Sequence, residues 1–148
     1  MSLLDRYVSE MSSPADELLT ELERETHMRA VHPHMISGHL QGRLLEMLVR
    51  FVGASTVLEI GTFTGYATLC MAAALEEDGI IDTIEADDEI VNLAAEFFAR
   101  SPHRPKIRQH IGSALDIAPG LGRTYDIVYI DGGKREYPAY YRMIMGSD

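Results

Sequence analysis

The sequence lacks tryptophan, contains a single cysteine and has no apolar run that approaches the length of a membrane-spanning helix. Because one cysteine, Cys70, cannot form a disulfide within the chain, the composition suits a reducing compartment. A spanning helix needs ~20 apolar residues in succession. The first residues, Met1–Arg6, also lack the pattern of a signal peptide. We therefore expect a cytoplasmic protein with no membrane partner.

Basic residues are scarce. The chain has 13 Lys and Arg against 23 Asp and Glu, which gives a formal net charge of −10 and a pI of about 5.0. Nucleic-acid surfaces are normally basic, so this balance argues against such a partner. One local basic cluster keeps the possibility open: Arg100, His103, Arg104, Lys106, Arg108 and His110.

The chain has 148 residues, 46% of them hydrophobic, which is enough for one domain with a substantial core. Apolar periodicity predicts an N-terminal helical segment over residues 1–52, followed by an α/β core over 53–148. We predict a second helix from Ala15 to Met28, with Ser13 as N-cap and Pro14 at its first position. The other helices of this segment are predicted at Leu3–Glu10 and at His39–Val52, where Gly53 ends the last one.

Strands and helices alternate in the second part of the chain, which predicts a parallel sheet with right-handed crossovers. The strands are predicted at about Thr56–Ile60, Ile80–Glu85, Lys106–Ile111 and Asp126–Ile130. The helices are predicted at about Gly65–Leu75, Glu89–Ser101, Leu115–Leu121 and Tyr137–Met145. The third strand is the least hydrophobic, as an edge strand can be.

A glycine turn follows the first strand and organises the candidate site. Gly61 and Gly65 separate the apolar strand from the next helix, at the end of a parallel strand where α/β sheets bind ligands. Glu59 is the unusual residue, because an acid within an apolar strand is costly to bury without a partner. Glu85 and Asp131 follow two other strands, so the three acids are expected to converge on one edge of the sheet.

The spacing also narrows the class of ligand. Glu85 lies 24 positions after Gly61, where an acid can accept hydrogen bonds from ribose hydroxyls. The glycine pattern is Gly-x-x-x-Gly, unlike the Gly-x-Gly-x-x-Gly of dinucleotide sites, and it lacks the Lys-Ser/Thr of a P-loop. A nucleoside ligand without a pyrophosphate therefore fits better than NAD or ATP.

Three motifs together closely resemble the cation-dependent O-methyltransferases of the caffeoyl-CoA and catechol type. They are Glu59-Ile-Gly-Thr-Phe-Thr-Gly-Tyr66, then Glu85, then Tyr125-Asp-Ile-Val-Tyr-Ile-Asp131-Gly-Gly-Lys134. Met35-Ile-Ser-Gly-His-Leu-Gln-Gly42 matches upstream, and the resemblance covers roughly residues 33–142. It implies a Rossmann-like class I methyltransferase sheet with strand order 3-2-1-4, a bound S-adenosylmethionine and a small hydroxylated aromatic substrate.

The resemblance also implies roles for the cofactor side of the site. Ile36 and Ser37 would contact the methionine end, Glu59 would receive its amino group, and Glu85 would hold the ribose hydroxyls. The remaining cofactor-binding positions implied are Gly61, Phe63, Gly65, Tyr66, Ala67, Ala86, Gly112, Ser113, Ala114 and Asp131. Among them, Ala86, Ser113 and Ala114 would contact the adenine. Ala67 stands where the family has a small hydroxyl residue, which removes one possible hydrogen bond to the cofactor.

On the acceptor side, the resemblance makes Asp131 a ligand of a divalent cation, expected to be Mg²⁺, and Lys134 the general base. Met35 would lie near the transferred methyl group. Such a cation lowers the pKa of the acceptor hydroxyl and orients its oxygen. The histidine-rich segment 32–39 matches no zinc spacing and is interpreted as a polar lid over the substrate cleft.

One departure concerns the end of the chain. The family completes its cation site with an Asp-Asn pair on the next strand, and this sequence ends at Asp148 before such a pair. We therefore expect a C-terminally truncated product that binds the cofactor and turns over poorly. Two alternatives stay open: methylation of a hydroxylated base in transfer RNA, supported by the segment Arg100–His110, and an inactive cofactor-binding or dimerising remnant. Relatives of this kind are usually dimers, so a homodimer through the N-terminal helices is expected.

Overall fold

The four strands are β1 (Thr56–Ile60), β2 (Ile80–Glu85), β3 (Ile107–Ile111) and β4 (Ile127–Ile130). In the computed structural model, which describes residues 2–146, they pair in parallel in the order β3-β2-β1-β4. The predicted order and the edge position of β3 are confirmed. Because the strands are parallel and β1 lies between β2 and β4, the carboxyl ends of β1 and β2 and the turn after β4 lie at the same end of the sheet. The candidate site is at this end.

Seven α-helices are found among the described residues 2–146: α1 (Leu3–Met11), α2 (Glu17–Arg29), α3 (Gly38–Val52), α4 (Tyr66–Ala74), α5 (Val91–Arg100), α6 (Ala114–Ile117) and α7 (Tyr137–Met145). Short 3₁₀ turns occupy Pro33–Met35, Arg104–Lys106, Ala118–Leu121 and Lys134–Glu136. Within this part of the chain, no helix is long and apolar enough to cross a membrane.

Two hydrophobic clusters stabilise the sheet. The larger one contains the side chains of α4 and α5 together with Leu19, Leu22 and Val49 from the N-terminal helices. The smaller one centres on Leu58, Ile60 and Ile84 and is completed by α6 and α7, with many members only partly buried. The N-terminal helices thus extend the core on one side of the sheet.

The start of α2 differs from the prediction. The helix begins at Glu17, and Asp16 rather than Ser13 is the N-cap, because the Asp16 side chain accepts a hydrogen bond from the Leu19 amide at 2.8 Å. Ser13 and Pro14 lie in the segment that joins α1 to α2, and their carbonyl oxygens accept hydrogen bonds from the Arg43 guanidinium. The prediction of Ser13 as N-cap was wrong because it rested on the local sequence, whereas Arg43 lies about thirty residues further along the chain on α3.

Most other boundaries agree with the predictions to within one or two residues, and β1, β2 and α7 agree at both ends. The region predicted as one helix over Leu115–Leu121 is split into α6 and a 3₁₀ turn. Pro119 explains the split, because proline removes an amide donor and disfavours a continuous α-helix.

Candidate functional site

A cavity of about 850 Å³ lies at the carboxyl ends of β1, β2 and β4. Its walls come from the glycine turn, the end of β2, the turn after β4 and the segment between α2 and α3. The predicted site residues that line it are Met35, Ile36, Ser37, Gly61, Phe63, Tyr66, Ala67, Glu85, Asp131 and Lys134. The predicted residues outside its lining are Glu59, Gly65, Ala86, Gly112, Ser113 and Ala114.

Glu59 lies near the end of β1, outside the cavity lining, and is fully buried. Its Oε2 accepts hydrogen bonds from the hydroxyls of Thr68 and Thr83, the latter at 2.6 Å. Within the described residues 2–146, its Oε1 has no partner. Burial raises the pKa of Glu59 to about 8, and the two threonine hydrogen bonds oppose that rise. This carboxyl therefore has one oxygen for which the described part of the chain supplies no donor.

The glycine turn depends on backbone conformations that side chains rarely allow. Gly61 has φ +103°, and a Cβ there would lie 2.4 Å from the carbonyl oxygen of Asp131. Gly65 has φ +89° and packs against the ring of Phe98. The close approach at Gly61 is therefore to the turn after β4, and it brings the ends of β1 and β4 together. Phe63, with φ +50°, also adopts the left-handed region.

Glu85 is held at the cavity edge by main-chain donors. Its Oε2 accepts from the Phe63 amide at 2.7 Å, and its Oε1 accepts from the Asp87 amide at 3.0 Å. The amide of Gly112 donates to the Glu85 carbonyl at 2.8 Å, which places the turn after β3 beside β2. Ala114 is buried in the smaller cluster. The predicted adenine contacts are Ala86, Ser113 and Ala114. Ala86 directly follows Glu85, but none of the three lines the cavity.

Asp131 follows β4 on the other side of the glycine turn. Its amide donates to the Ile60 carbonyl at 2.8 Å, and its Oδ2 accepts from the Tyr129 hydroxyl at 3.2 Å. The Gln41 side chain donates to the same tyrosine hydroxyl at 2.6 Å. Lys134 begins the next 3₁₀ turn and is exposed. Asp131 and Lys134 therefore line the same part of the cavity.

The segment between α2 and α3 forms the remaining wall. His32 and His34 line the cavity, with their ring centroids 5.9 Å apart in an edge-to-face arrangement. Met35 is more than half exposed beside them. Ser37 precedes α3, and Gly38 has φ +73°, a backbone conformation that favours glycine. This segment covers one side of the cavity, whereas His39 does not line it.

The comparisons with known proteins agree with this geometry. The model of a protein family described as O-methyltransferase matches residues 9–146. The chain belongs to the O-methyltransferase family. It is 28% identical to a catechol O-methyltransferase of Niastella koreensis over 94% of this chain and 64% of that protein. It is 31% identical to caffeoyl-CoA O-methyltransferase 1 of Arabidopsis thaliana over 87% of this chain and 52% of that protein. The chain thus spans between half and two thirds of these relatives.

Solved structures of O-methyltransferases support the same assignment. The O-methyltransferase TomG from Streptomyces achromogenes, in complex with SAM, superimposes with a TM-score of 0.89 at 34% identity, over 97% of this chain and 66% of that one. An O-methyltransferase from Bacillus cereus, in complex with SAH, gives a TM-score of 0.88 at 28% identity, over 98% and 67%. The fold is the Rossmann-like class I methyltransferase fold.

Several residues of this O-methyltransferase-family site escape sequence reasoning. Thr62 and Thr64 lie in the turn, and Arg29, Asp87, Glu89 and Ile90 line the cavity from flanking elements. No motif in the sequence marked them, although Asp87 and Glu89 lie close to the predicted Glu85. Among residues 2–146, no group of three or more His, Cys, Asp or Glu side chains is placed to hold a metal ion. Asp131 therefore belongs to no such group within these residues.

A second cavity, of about 530 Å³, lies on the face of the sheet that carries the smaller hydrophobic cluster. Its lining includes Leu58, Arg123, Tyr125 and Met143. None of the predicted site residues contributes to it.

Proposed function

We propose that this chain binds S-adenosylmethionine in the larger cavity and transfers its methyl group to a hydroxyl oxygen of a small aromatic acceptor. The observation that carries the proposal is the buried Glu59, whose Oε1 has no partner within residues 2–146. A buried carboxyl is stable in its charged form only beside a cation or several donors. The ammonium group of the cofactor is such a partner.

The surroundings of Glu59 support this assignment. Ala67 lines the cavity, and the adjacent Thr68 donates to the Glu59 carboxyl, which therefore lies one layer below the cavity surface. Glu85 lies at the cavity edge with both oxygens oriented by main-chain amides, and each oxygen retains a lone pair for a ribose hydroxyl. The two acids suit the two polar ends of a sulfonium nucleoside.

The cofactor supplies an electrophilic methyl group on its sulfonium sulfur. The chain supplies the groups that orient the acceptor and remove its proton. Lys134 is the candidate base, since its flexible side chain starts at the cavity wall beside Asp131. Asp131 is also a candidate ligand of a divalent cation such as Mg²⁺. The residues 2–146 do not by themselves complete such a site, so its other ligands would have to come from elsewhere.

The names of the relatives guide the choice of acceptor. Catechol and caffeoyl-CoA both carry phenolic hydroxyl groups, and similar proteins bear their names. The histidine pair and Met35 give the acceptor side of the cavity aromatic and apolar surface. We therefore propose a small hydroxylated aromatic substrate.

Calorimetric titration with S-adenosylmethionine tests the cofactor, and transfer of a labelled methyl group to catechol tests the reaction. We expect saturable binding by the wild-type chain, and we expect Lys134→Met to abolish transfer while binding persists. Arg135→Met is the matched control, because Arg135 is the neighbouring cation and does not line the cavity. An absence of binding at millimolar cofactor would contradict the whole proposal. Equal transfer by Lys134→Met and Arg135→Met would remove Lys134 from it.

Methylation of transfer RNA receives no support from the basic cluster. Arg100 pairs with Glu21, the Lys106 ammonium donates to the Leu75 carbonyl at 2.6 Å, and His110 contacts Asp82 at 2.7 Å. These side chains are engaged with other parts of the fold, and none of them lines the larger cavity. We therefore favour the small aromatic acceptor.

The N-terminal helices support a homodimer as part of the proposed function. None of the described residues of α1 is buried, and its apolar side chains Leu3, Leu4 and Met11 are well exposed. On α3, apolar side chains are also exposed: Leu40, Leu44, Met47, Leu48 and Phe51. Contiguous apolar surface of this kind is typical of an interface. Light scattering after size exclusion should give the mass of a dimer, and Leu44→Glu should give a monomer; a monomeric wild-type chain would contradict the assignment.

A further inference from the structure

Three side chains form a hydrogen-bonded chain that runs from α3 to the candidate site. The Gln41 side-chain amide donates to the Tyr129 hydroxyl at 2.6 Å, and that hydroxyl donates to Asp131 Oδ2 at 3.2 Å. Gln41 lies near the N-terminus of α3, 88 positions before Tyr129. Asp131 faces the cavity. The chain therefore links the N-terminal helical segment to a wall of the proposed cofactor site.

The direction of these hydrogen bonds follows from the chemistry of the groups. A tyrosine hydroxyl has one hydrogen to donate and lone pairs to accept, whereas an ionised carboxylate only accepts. When Gln41 donates to Tyr129, the tyrosine hydrogen remains available for Asp131. The bond to Asp131 is then charge-assisted, which makes it stronger than a bond between neutral groups.

Tyr129 itself is well placed to orient another group. It lies within β4, opposite Glu59 of β1 in the register, and its ring packs against the larger hydrophobic cluster. Asp131 directly follows β4, and the contact between its carboxylate and the Tyr129 hydroxyl places both side chains on the same side of the sheet. The rigid strand and the packed ring fix where the tyrosine hydroxyl lies.

The backbone of Asp131 is fixed by other contacts, whereas its carboxylate is held by Tyr129. The Asp131 amide is bonded to Ile60, and its carbonyl packs closely against Gly61. Its side chain is exposed, and the bond from Tyr129 is the one side-chain hydrogen bond that residues 2–146 give it. Without that bond, the carboxylate would rotate freely at the cavity wall.

We propose that Tyr129, held by Gln41, is a positioning residue that aims the Asp131 carboxylate into the cavity. This role rests on the proposed function, because it requires Asp131 to contact the bound cofactor or acceptor. It adds two residues to the site that lie one step away from the ligand. It also makes the N-terminus of α3 part of the support of the site.

The first test is Tyr129→Phe, which removes the hydroxyl and keeps the ring. We expect about a tenfold weaker affinity for S-adenosylmethionine in calorimetry, the usual scale for a hydrogen bond to a charged group. Tyr125→Phe is the matched control. Its hydroxyl also donates to a carboxylate, Asp82 at 2.9 Å, but Asp82 is on the opposite face of the sheet. We expect Tyr125→Phe to lower stability and to leave affinity unchanged.

The second test asks whether the effect passes through Asp131. In an Asp131→Asn background, Tyr129→Phe should change the cofactor affinity by less than about twofold, because the charge that the hydroxyl orients is gone. Gln41→Leu should weaken binding less than Tyr129→Phe, and the double variant should match Tyr129→Phe alone. A merely structural role would lower the melting temperature and make the effects additive.

The outcomes are separable. If the wild-type chain binds no cofactor, both the proposed function and this inference are contradicted. If the wild-type chain binds and Tyr129→Phe binds equally well, the inference alone is overturned. If Tyr129→Phe fails to fold, Gln41→Leu decides, because Gln41 is exposed and its loss leaves the core intact; unchanged affinity in that variant would overturn the role of Gln41 and Tyr129.

Discussion

Two acids are buried in neighbouring central strands, and the contrast between them separates structure from function. Glu59 lies in β1 and Asp82 in β2, with 0% and 2% of their surfaces exposed. In the register, Glu59 pairs with Thr83 and Asp82 pairs with Leu58. Because successive residues of a strand point to opposite faces, the two carboxyls lie on opposite sides of the sheet.

Asp82 has a complete set of protein partners. Its Oδ1 contacts His110 at 2.7 Å, and its Oδ2 accepts from Arg123 at 3.2 Å and from the Tyr125 hydroxyl at 2.9 Å. These partners come from β3 and from the segment that precedes β4. Asp82 therefore links β2 to β3 and to the segment before β4. These partners explain its burial without a ligand.

Glu59 has an incomplete set. Both of its hydrogen bonds end on Oε2, and both come from neutral threonine hydroxyls. Burial raises the pKa of Glu59 to about 8. The difference teaches that burial alone does not mark a functional acid. A buried acid that has an unpartnered oxygen close to a cavity is the better candidate for a ligand-binding role.

The largest expected effect is on the satisfied acid. Asp82→Ala removes the partner of two basic side chains and a tyrosine hydroxyl, and the basic side chains remain partly exposed to water, so it should lower the free energy of unfolding by about 3 kcal/mol. Urea denaturation measures this change. The cofactor affinity of the folded fraction should stay within about twofold of wild type, because Asp82 does not line the cavity. A loss of affinity without a loss of stability would reverse the comparison.

The next effect is on the unsatisfied acid. Glu59→Gln keeps the size of the side chain but removes the charge that would pair with the cofactor's ammonium group. We expect the affinity for S-adenosylmethionine to fall by about 1.5–3 kcal/mol, or roughly ten- to a hundredfold. Calorimetry at neutral pH measures the loss, and a thermal melt without cofactor should show no comparable loss of stability. Unchanged affinity would show that Glu59 is structural, like Asp82.

The sequence predicted the fold better than it predicted the site. Strands β1 and β2 agree at both ends with the predictions, because each is rich in buried β-branched or leucine side chains and a glycine lies next to it, Gly61 after β1 and Gly79 before β2. The convergence of Glu59, Glu85 and Asp131 follows from strand order alone. The N-cap of α2 was predicted wrongly because Arg43, on α3, sets the path of the preceding segment.

Long-range side-chain contacts were the part that the sequence could not supply. Asp82 did not stand out as a candidate for any role, since its partners lie 28 to 43 positions further along the chain. Gln41 and Tyr129 are 88 positions apart. The family resemblance implied Ala86, Ser113 and Ala114 as adenine contacts, but it carries no information on where the cavity ends.

The smallest expected effect tests what sets the protonation of Glu59. Its pKa is raised from 4.5 to about 8, so between these values the native state holds a proton that the unfolded chain releases. Without cofactor, this residue's contribution to stability is therefore fully present below about pH 4.5, falls as the pH rises and is lost above about pH 8. The Thr68 hydrogen bond lowers the pKa. Thr68→Val should cost about 1 kcal/mol and move the upper end of this window to higher pH.

Thermal melts across this pH range, without cofactor, compare wild type, Thr68→Val and Glu59→Gln. Glu59→Gln should lack the decline, because glutamine does not titrate, and its difference from wild type cancels the other titrating groups. Added S-adenosylmethionine should flatten the wild-type decline, since an ammonium partner favours the ionised carboxyl. If the wild-type and Glu59→Gln profiles superimpose, Glu59 is ionised throughout. The protein must then supply a partner for its second oxygen, and the contrast with Asp82 disappears.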